Sequence, residues 1–161
     1  MADHQEATLT LPSDPASVPA ARRHVAEVLS SWGLDETGEA AAALLLMVSE
    51  LTTNAVQHTL GRSPAFTVGL YLDRHERLRI GVTDSHPRRP RRLPAAVQQD
   101  NGRGLLIIRT LAAEAGGRLS VTPTAKGGKT VWITLPWPAA AALPGRPAAR
   151  ERVTRGQRTR P

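Results

Sequence analysis

Two short runs with the same alternation set the frame. Phe66, Val68, Leu70 and Leu72 alternate with Thr67, Gly69 and Tyr71, and Leu78, Ile80 and Val82 alternate with Arg79, Gly81 and Thr83. Period-two alternation marks a strand with one buried face. Only Asp73 to Glu76 separates the runs, a hairpin-length turn. A hairpin is not stable by itself, so its apolar face needs a cover. The chain supplies one. Val18, Ala21, Val25, Val28 and Leu29 recur at helical spacing over 16–31, with Gly33 as the stop. A longer helix is expected from a cap at Asp35 to about His58, ended by 61–64.

The remaining elements are shorter. Residues 6–11 read as a strand. GRGLLIIRTLAAEAGG reads as a helix from Arg103 to Ala113, with Leu105, Ile108, Leu111 and Ala112 as its stripe and Gly116–Gly117 as its stop. Strands follow at 118–122 and 130–135, either side of a Lys126-Gly127-Gly128 turn. The order β-α-α-β-β-loop-α-β-β predicts an α+β two-layer sandwich, with helices on one face of a mixed, mostly antiparallel sheet.

Length fits one domain, with 161 residues. There are no cysteines, which excludes disulfides and thiolate metal sites and fits a reducing, cytoplasmic setting. The N-terminus lacks a charged-then-apolar signal pattern, and the longest apolar run, Ala40–Val48, is short of the ~20 residues a bilayer needs. Charge is divided unevenly. Residues 137–161 carry six arginines and one glutamate, a net +5, whereas residues 1–136 carry a net +2. A near-neutral domain over 1–136 is therefore expected to bear a disordered basic tail over 137–161; no direct nucleic-acid binding is expected of the domain, and a basic nucleic-acid-associated protein using its Arg-rich tail and loop is the lesser alternative.

Four places carry chemistry. Glu50, Asn54 and His58 are spaced by four, on one helix face. A carboxylate and a carboxamide stacked this way present a general base and a metal ligand to one site. The same spacing also describes the wet stripe of an amphipathic helix, with Thr53 and Gln57. Asp84 shares the inward parity of Leu78, Ile80 and Val82, and a carboxylate facing a core is costly unless paired. It either meets a ligand amine at the strand end or begins a turn. Asn101-Gly102-Arg103-Gly104-Leu105 puts a glycine pair before a helix, where free amides and the helix dipole suit phosphate. It also reads as an ordinary loop-to-helix junction. The loop 85–101 has three prolines and four arginines, and a loop of this length in a compact domain is usually functional or disordered.

Taken in order, ELTTNAVQH on a helix, Asp84 at a strand end, a long loop, GRGL opening a helix and GGKTV before a last strand resemble the Bergerat-fold (GHKL) ATPases over residues 6–136. The likeness is closest to their small histidine-kinase-like branch, the anti-sigma-factor serine kinases and related actinobacterial regulators. The resemblance implies an ATP-binding regulator that transfers the γ-phosphate to a partner-protein serine, or one that binds and sequesters without transfer. It implies that Asn54 holds Mg²⁺ on the ATP phosphates, that Glu50 is the base, and that Asp84 binds the adenine amine. Residues 85–101 would be the lid and Gly102, Arg103, Gly104 and Leu105 the phosphate cradle. Gly128 would lie in the turn before Thr130, and Thr130 near the adenine. Implied partners are a sigma factor and an anti-anti-sigma (STAS-type) protein, with homodimerisation. Two departures stand out. Asp84-Ser85-His86-Pro87-Arg88 replaces the D-x-G-x-G usual in that family, and Thr130 has the opposite parity to Val131, Ile133 and Leu135, which Lys129 shares.

Overall fold

The computed structural model describes residues 4–59, 64–74, 76–84, 95–125 and 127–138; for 58, 59 and 95–103 it describes the backbone alone. The elements are β1 (His4–Pro12), α1 (Ser17–Ser31), α2 (Glu39–Thr59), β2 (Ala65–Asp73), β3 (Arg77–Asp84), α3 (Ala95–Glu114), β4 (Arg118–Pro123) and β5 (Lys129–Pro136). The strands form one sheet in the order β1-β2-β3-β5-β4. All four pairings are antiparallel, so the expected mixed character is not seen among the described residues.

The alternation read from the sequence sets the register. Ile80 pairs with Leu70 on one side and Ile133 on the other, and Val82 pairs with Val68 and Val131. Leu70, Leu78, Ile80 and Ile133 are fully buried beneath the helices. Over them α1 places Ala21, Val25 and Leu29, α2 places Leu44, Met47, Val48 and Leu51, and α3 places Ile108 and Ala112. Each of these side chains larger than alanine contributes about 1.5–3 kcal/mol when withdrawn from water. α2 is long and apolar enough to cross a membrane, but it serves here as the central core helix.

The opposite sheet face carries polar side chains and flattened rings. Thr10, Thr67, Thr83, Thr130 and Thr122 form one row across all five strands. Beside it Arg79 lies 5.5 Å over both the Tyr71 and Trp132 rings. Those rings lie across Gly69 and Gly81, where an added Cβ would come within 2.9 and 2.7 Å of ring atoms.

Helix ends follow local chemistry. At the end of α1, Leu34 N–H donates to Leu29 O (3.0 Å) and Gly33 N–H to Ser30 O (2.9 Å), with Gly33 at φ +104°. Gly117 and Gly116 repeat the pattern on Ala112 O and Ala113 O at the end of α3. Both are Schellman stops that need a left-handed residue. The start of α2 differs from expectation. Asp35 accepts from Thr37 N–H (2.9 Å) and Thr37 Oγ1 (2.8 Å), closing a turn ahead of the helix. The helix begins behind Gly38, whose carbonyl accepts from Ala42 N–H. The Thr37 N–H, then its hydroxyl, hold the Asp35 carboxyl below the usual carboxylate range.

Two boundaries also move. α3 starts at Ala95, not Arg103, because Ala95-Ala96-Val97-Gln98-Gln99 are helix-compatible and extend it through Gly102 and Gly104. The folded part continues past Pro136: Trp137 is 3% exposed, and its N–H donates to Glu76 O at 2.8 Å. Residues 85–94 of the expected lid and 139–161 of the expected tail lie outside the described residues.

Candidate functional site

Part of the polar face of α2 is withdrawn from bulk water, while Gln57 stays exposed. Asn54 is 9% exposed and Glu50 half-buried, because α3 crosses above them. Gly104 makes the crossing. A Cβ there would stand 2.9 Å from Glu50 Oε2 and 3.4 Å from Asn54 Oδ1. The Asn54 Nδ2 is buried and has no hydrogen-bond partner. Leaving such an amide unpaired costs about 1–3 kcal/mol. Thr52, on the other side of α2, satisfies itself by donating to Val48 O at 2.8 Å.

A second group forms at the end of β3. Asp84 is 6% exposed and pairs in register with Lys129, whose N–H donates to Asp84 Oδ1 at 3.3 Å. Gly128 permits this approach: its Cβ would fall 2.2 Å from the Asp84 carbonyl oxygen. The preceding turn is fixed by Thr124 N–H on Gly128 O and Gly127 N–H on Thr124 O. α2 ends at Thr59 and the chain re-enters the sheet at Ala65, beside the Phe66–Asp84 pair. The C-terminal half of α2 and the end of β3 therefore share one end of the sandwich.

The structure thus brings Glu50, Asn54 and Gly104 together, and Asp84, Gly128 and Lys129 together. Two of the expected arrangements differ: the place of Thr130 and the backbone of Gly102 to Leu105. Thr130 faces the opposite side of the sheet, where its hydroxyl pairs with Thr83 Oγ1 at 2.8 Å, as its parity requires. Gly102 to Leu105 lie within α3, so their amides are spent on helical hydrogen bonds and not offered at a helix start. Leu105 is partly buried against the core. The Arg103 and His58 side chains lie outside the described residues.

Among the described residues no cluster of three His, Cys, Asp or Glu side chains stands ready for a metal. A separate cleft of ≈ 360 Å³ opens between α1 and α2, lined by Glu27, Leu29, Leu34, Ala41 and Leu45 among others. None of these is a candidate site residue.

The family described as "Histidine kinase-like ATPase domain" has a sequence model that matches residues 11–135. No curated protein matches the chain. Among solved structures, full-length ShkA in complex with AMPPNP is similar at 22% identity and a TM-score of 0.51, covering 78% of this chain and 30% of its own. The blue-light activated histidine kinase EL346 of Erythrobacter litoralis is similar at 25% identity and a TM-score of 0.49, covering 80% of this chain and 42% of its own. The chain therefore spans less than half the length of either.

Proposed function

We propose an ATP-dependent regulatory activity for this chain, which belongs to the histidine kinase-like ATPase domain family. The observation that carries it is the buried, unpartnered Asn54 Nδ2 beside Glu50 and Gly104, a polar site built against the inside of the sandwich. The family match and the AMPPNP bound by the fold neighbour ShkA support the class of ligand.

Asp84 accepts the exocyclic amine of adenine. Asn54 would hold, through Oδ1, a Mg²⁺ that would neutralise charge on the phosphates. The chemistry we assign is transfer of the γ-phosphate to a serine of a partner protein. The serine oxygen bonds to the γ-phosphorus, the bond to the β-phosphate oxygen breaks and ADP leaves. Glu50 takes the hydroxyl proton. Most of the acceleration comes from positioning and charge neutralisation. The Gly102 to Leu105 amides serve the phosphates only if α3 shortens toward Arg103. Gly128 acts through the turn that seats Asp84. Thr130 is given no direct contact with the base. A sigma factor and an anti-anti-sigma protein are the partners proposed, with a homodimer as the working unit and the cytoplasm as its place.

Calorimetry with ATP and Mg²⁺ tests the binding. Wild type should bind and Asp84→Ala should bind weakly or not at all; a silent wild type overturns the proposal. Glu50→Ala should keep most of the affinity and lose phosphorylation of the partner serine. A second function follows if wild type binds ATP but transfers nothing: sequestration of the partner. It is favoured by the absence of the strand-end glycines after Asp84.

A further inference from the structure

The helix-side surface of the sheet is not covered evenly. In the row of Leu119, Ile133, Ile80 and Leu70 the three on β5, β3 and β2 are fully buried. One row nearer the site, Val121 pairs with Val131 on the same face; Val121 is 57% exposed, while Val131 is half-buried against the core. An apolar shelf is thus open on β4, bordered by Val131 of β5, at the level of Val82. Lys129 heads it. This residue has the inward parity of Val131, is half-buried, and stands in register opposite Asp84. Directly opposed side chains of a sheet start about 5 Å apart, and opposite charges so placed normally pair. Among the described residues, no carboxylate lies within ion-pair distance of the Lys129 ammonium. Lys129 and the shelf lie on the same face of β5, two residues apart along the strand from Val131.

We infer that Lys129 is a base-reading residue of the nucleotide site: its ammonium donates to a purine ring nitrogen next to the amine that Asp84 accepts, with the ring lying on Val121 and Val131. A purine fits the chemistry, since it offers an apolar face, an exocyclic donor and adjacent ring acceptors. A carboxylate with a neighbouring cation matches that donor–acceptor edge. The inference rests on the ATP reading proposed above and names a contact within it.

The experiment measures dissociation constants of wild type, Lys129→Met and Lys129→Gln for ATP, 1-deaza-ATP, 7-deaza-ATP and adenosine. Circular dichroism melts accompany each variant to establish folding. Lys129→Met should weaken ATP about ten-fold, the scale of one charge-assisted hydrogen bond. Adenosine should lose a similar factor. One deaza analogue should bind wild type about as weakly as ATP binds the variant, and it should be indifferent to the substitution. Lys129→Gln, which keeps a donor, should fall between. The inference is overturned if ATP and both deaza analogues suffer equally, or if ATP suffers and adenosine does not, which would place the ammonium on phosphate. No effect on any ligand overturns it also. If wild type binds none of the four, the ATP reading itself has failed, an outcome distinct from these.

Discussion

Two glycines show how one missing methyl group sets a site, with opposite consequences for stability. At Gly128 a Cβ would meet the Asp84 carbonyl oxygen at 2.2 Å, a backbone atom that cannot step aside. Gly128→Ala should therefore lower the melting temperature and weaken ATP together, because the turn that presents the Lys129 N–H to Asp84 is displaced. At Gly104 the nearest atom is Glu50 Oε2, at 2.9 Å, the movable end of a side chain. Gly104→Ala should leave stability unchanged or raise it by up to ~1 kcal/mol, the helix propensity difference. It should still depress serine phosphorylation, because Glu50 is pushed from its place. Thermal melts and transfer assays on the two variants check both. A Gly104→Ala protein with full transfer activity would remove Glu50 from the chemistry. The sequence identified both positions as glycines that matter. It could not show that Gly104 matters for its side contact on α2, since that depends on how two helices cross.

At the level of elements, legibility followed locality. The alternation of β2 and β3 and the glycine stops of α1 and α3 are written in adjacent residues, and they appear where expected. The start of α3 is a balance. Alanine and glutamine at 95–99 favour helix, while Gly102 and Gly104 each disfavour it by about 1 kcal/mol. The structure has the helix formed. Gly102→Ala should tip that balance further. By our proposal it should slow hydrogen exchange across 102–105 and weaken ATP, since the helical amides become harder to free. Faster exchange, or tighter ATP, would refute the link. α2 illustrates a second local device. Asp35 has a depressed carboxyl pKa, so its contribution to stability is complete above about pH 4 and is lost as pH falls through the lowered folded value. The gap in melting temperature between wild type and Asp35→Ala should accordingly be constant near neutrality and close under strongly acid conditions.

For the whole molecule, the sandwich turns a common amphipathic pattern into a site. Glu50 and Asn54 have the spacing of any wet helical face, and nothing local distinguishes them. Burial comes from α3, which follows some fifty residues later in the chain and approaches through a glycine. Fold class was legible because it needs only the count and order of apolar faces. The candidate site was signalled only where residues of low tolerance, Asp84 inward and the glycines at 102 and 104, broke that pattern. The end of the domain is a related case. Compositionally the chain changes character at Pro136, yet the inward parity of β5 continues through Leu135 to Trp137, which fills the core at the hairpin end. A chain ending at Pro138 keeps that side chain and its bond to Glu76 O, and a chain ending at Pro136 loses both. Removing a buried tryptophan costs about 3–5 kcal/mol. The shorter chain should thus melt roughly 10 °C below the longer one, and Trp137→Ala in the full chain should reproduce most of that loss. Equal melting temperatures would show that Trp137 only covers the sheet's end and contributes nothing to holding it.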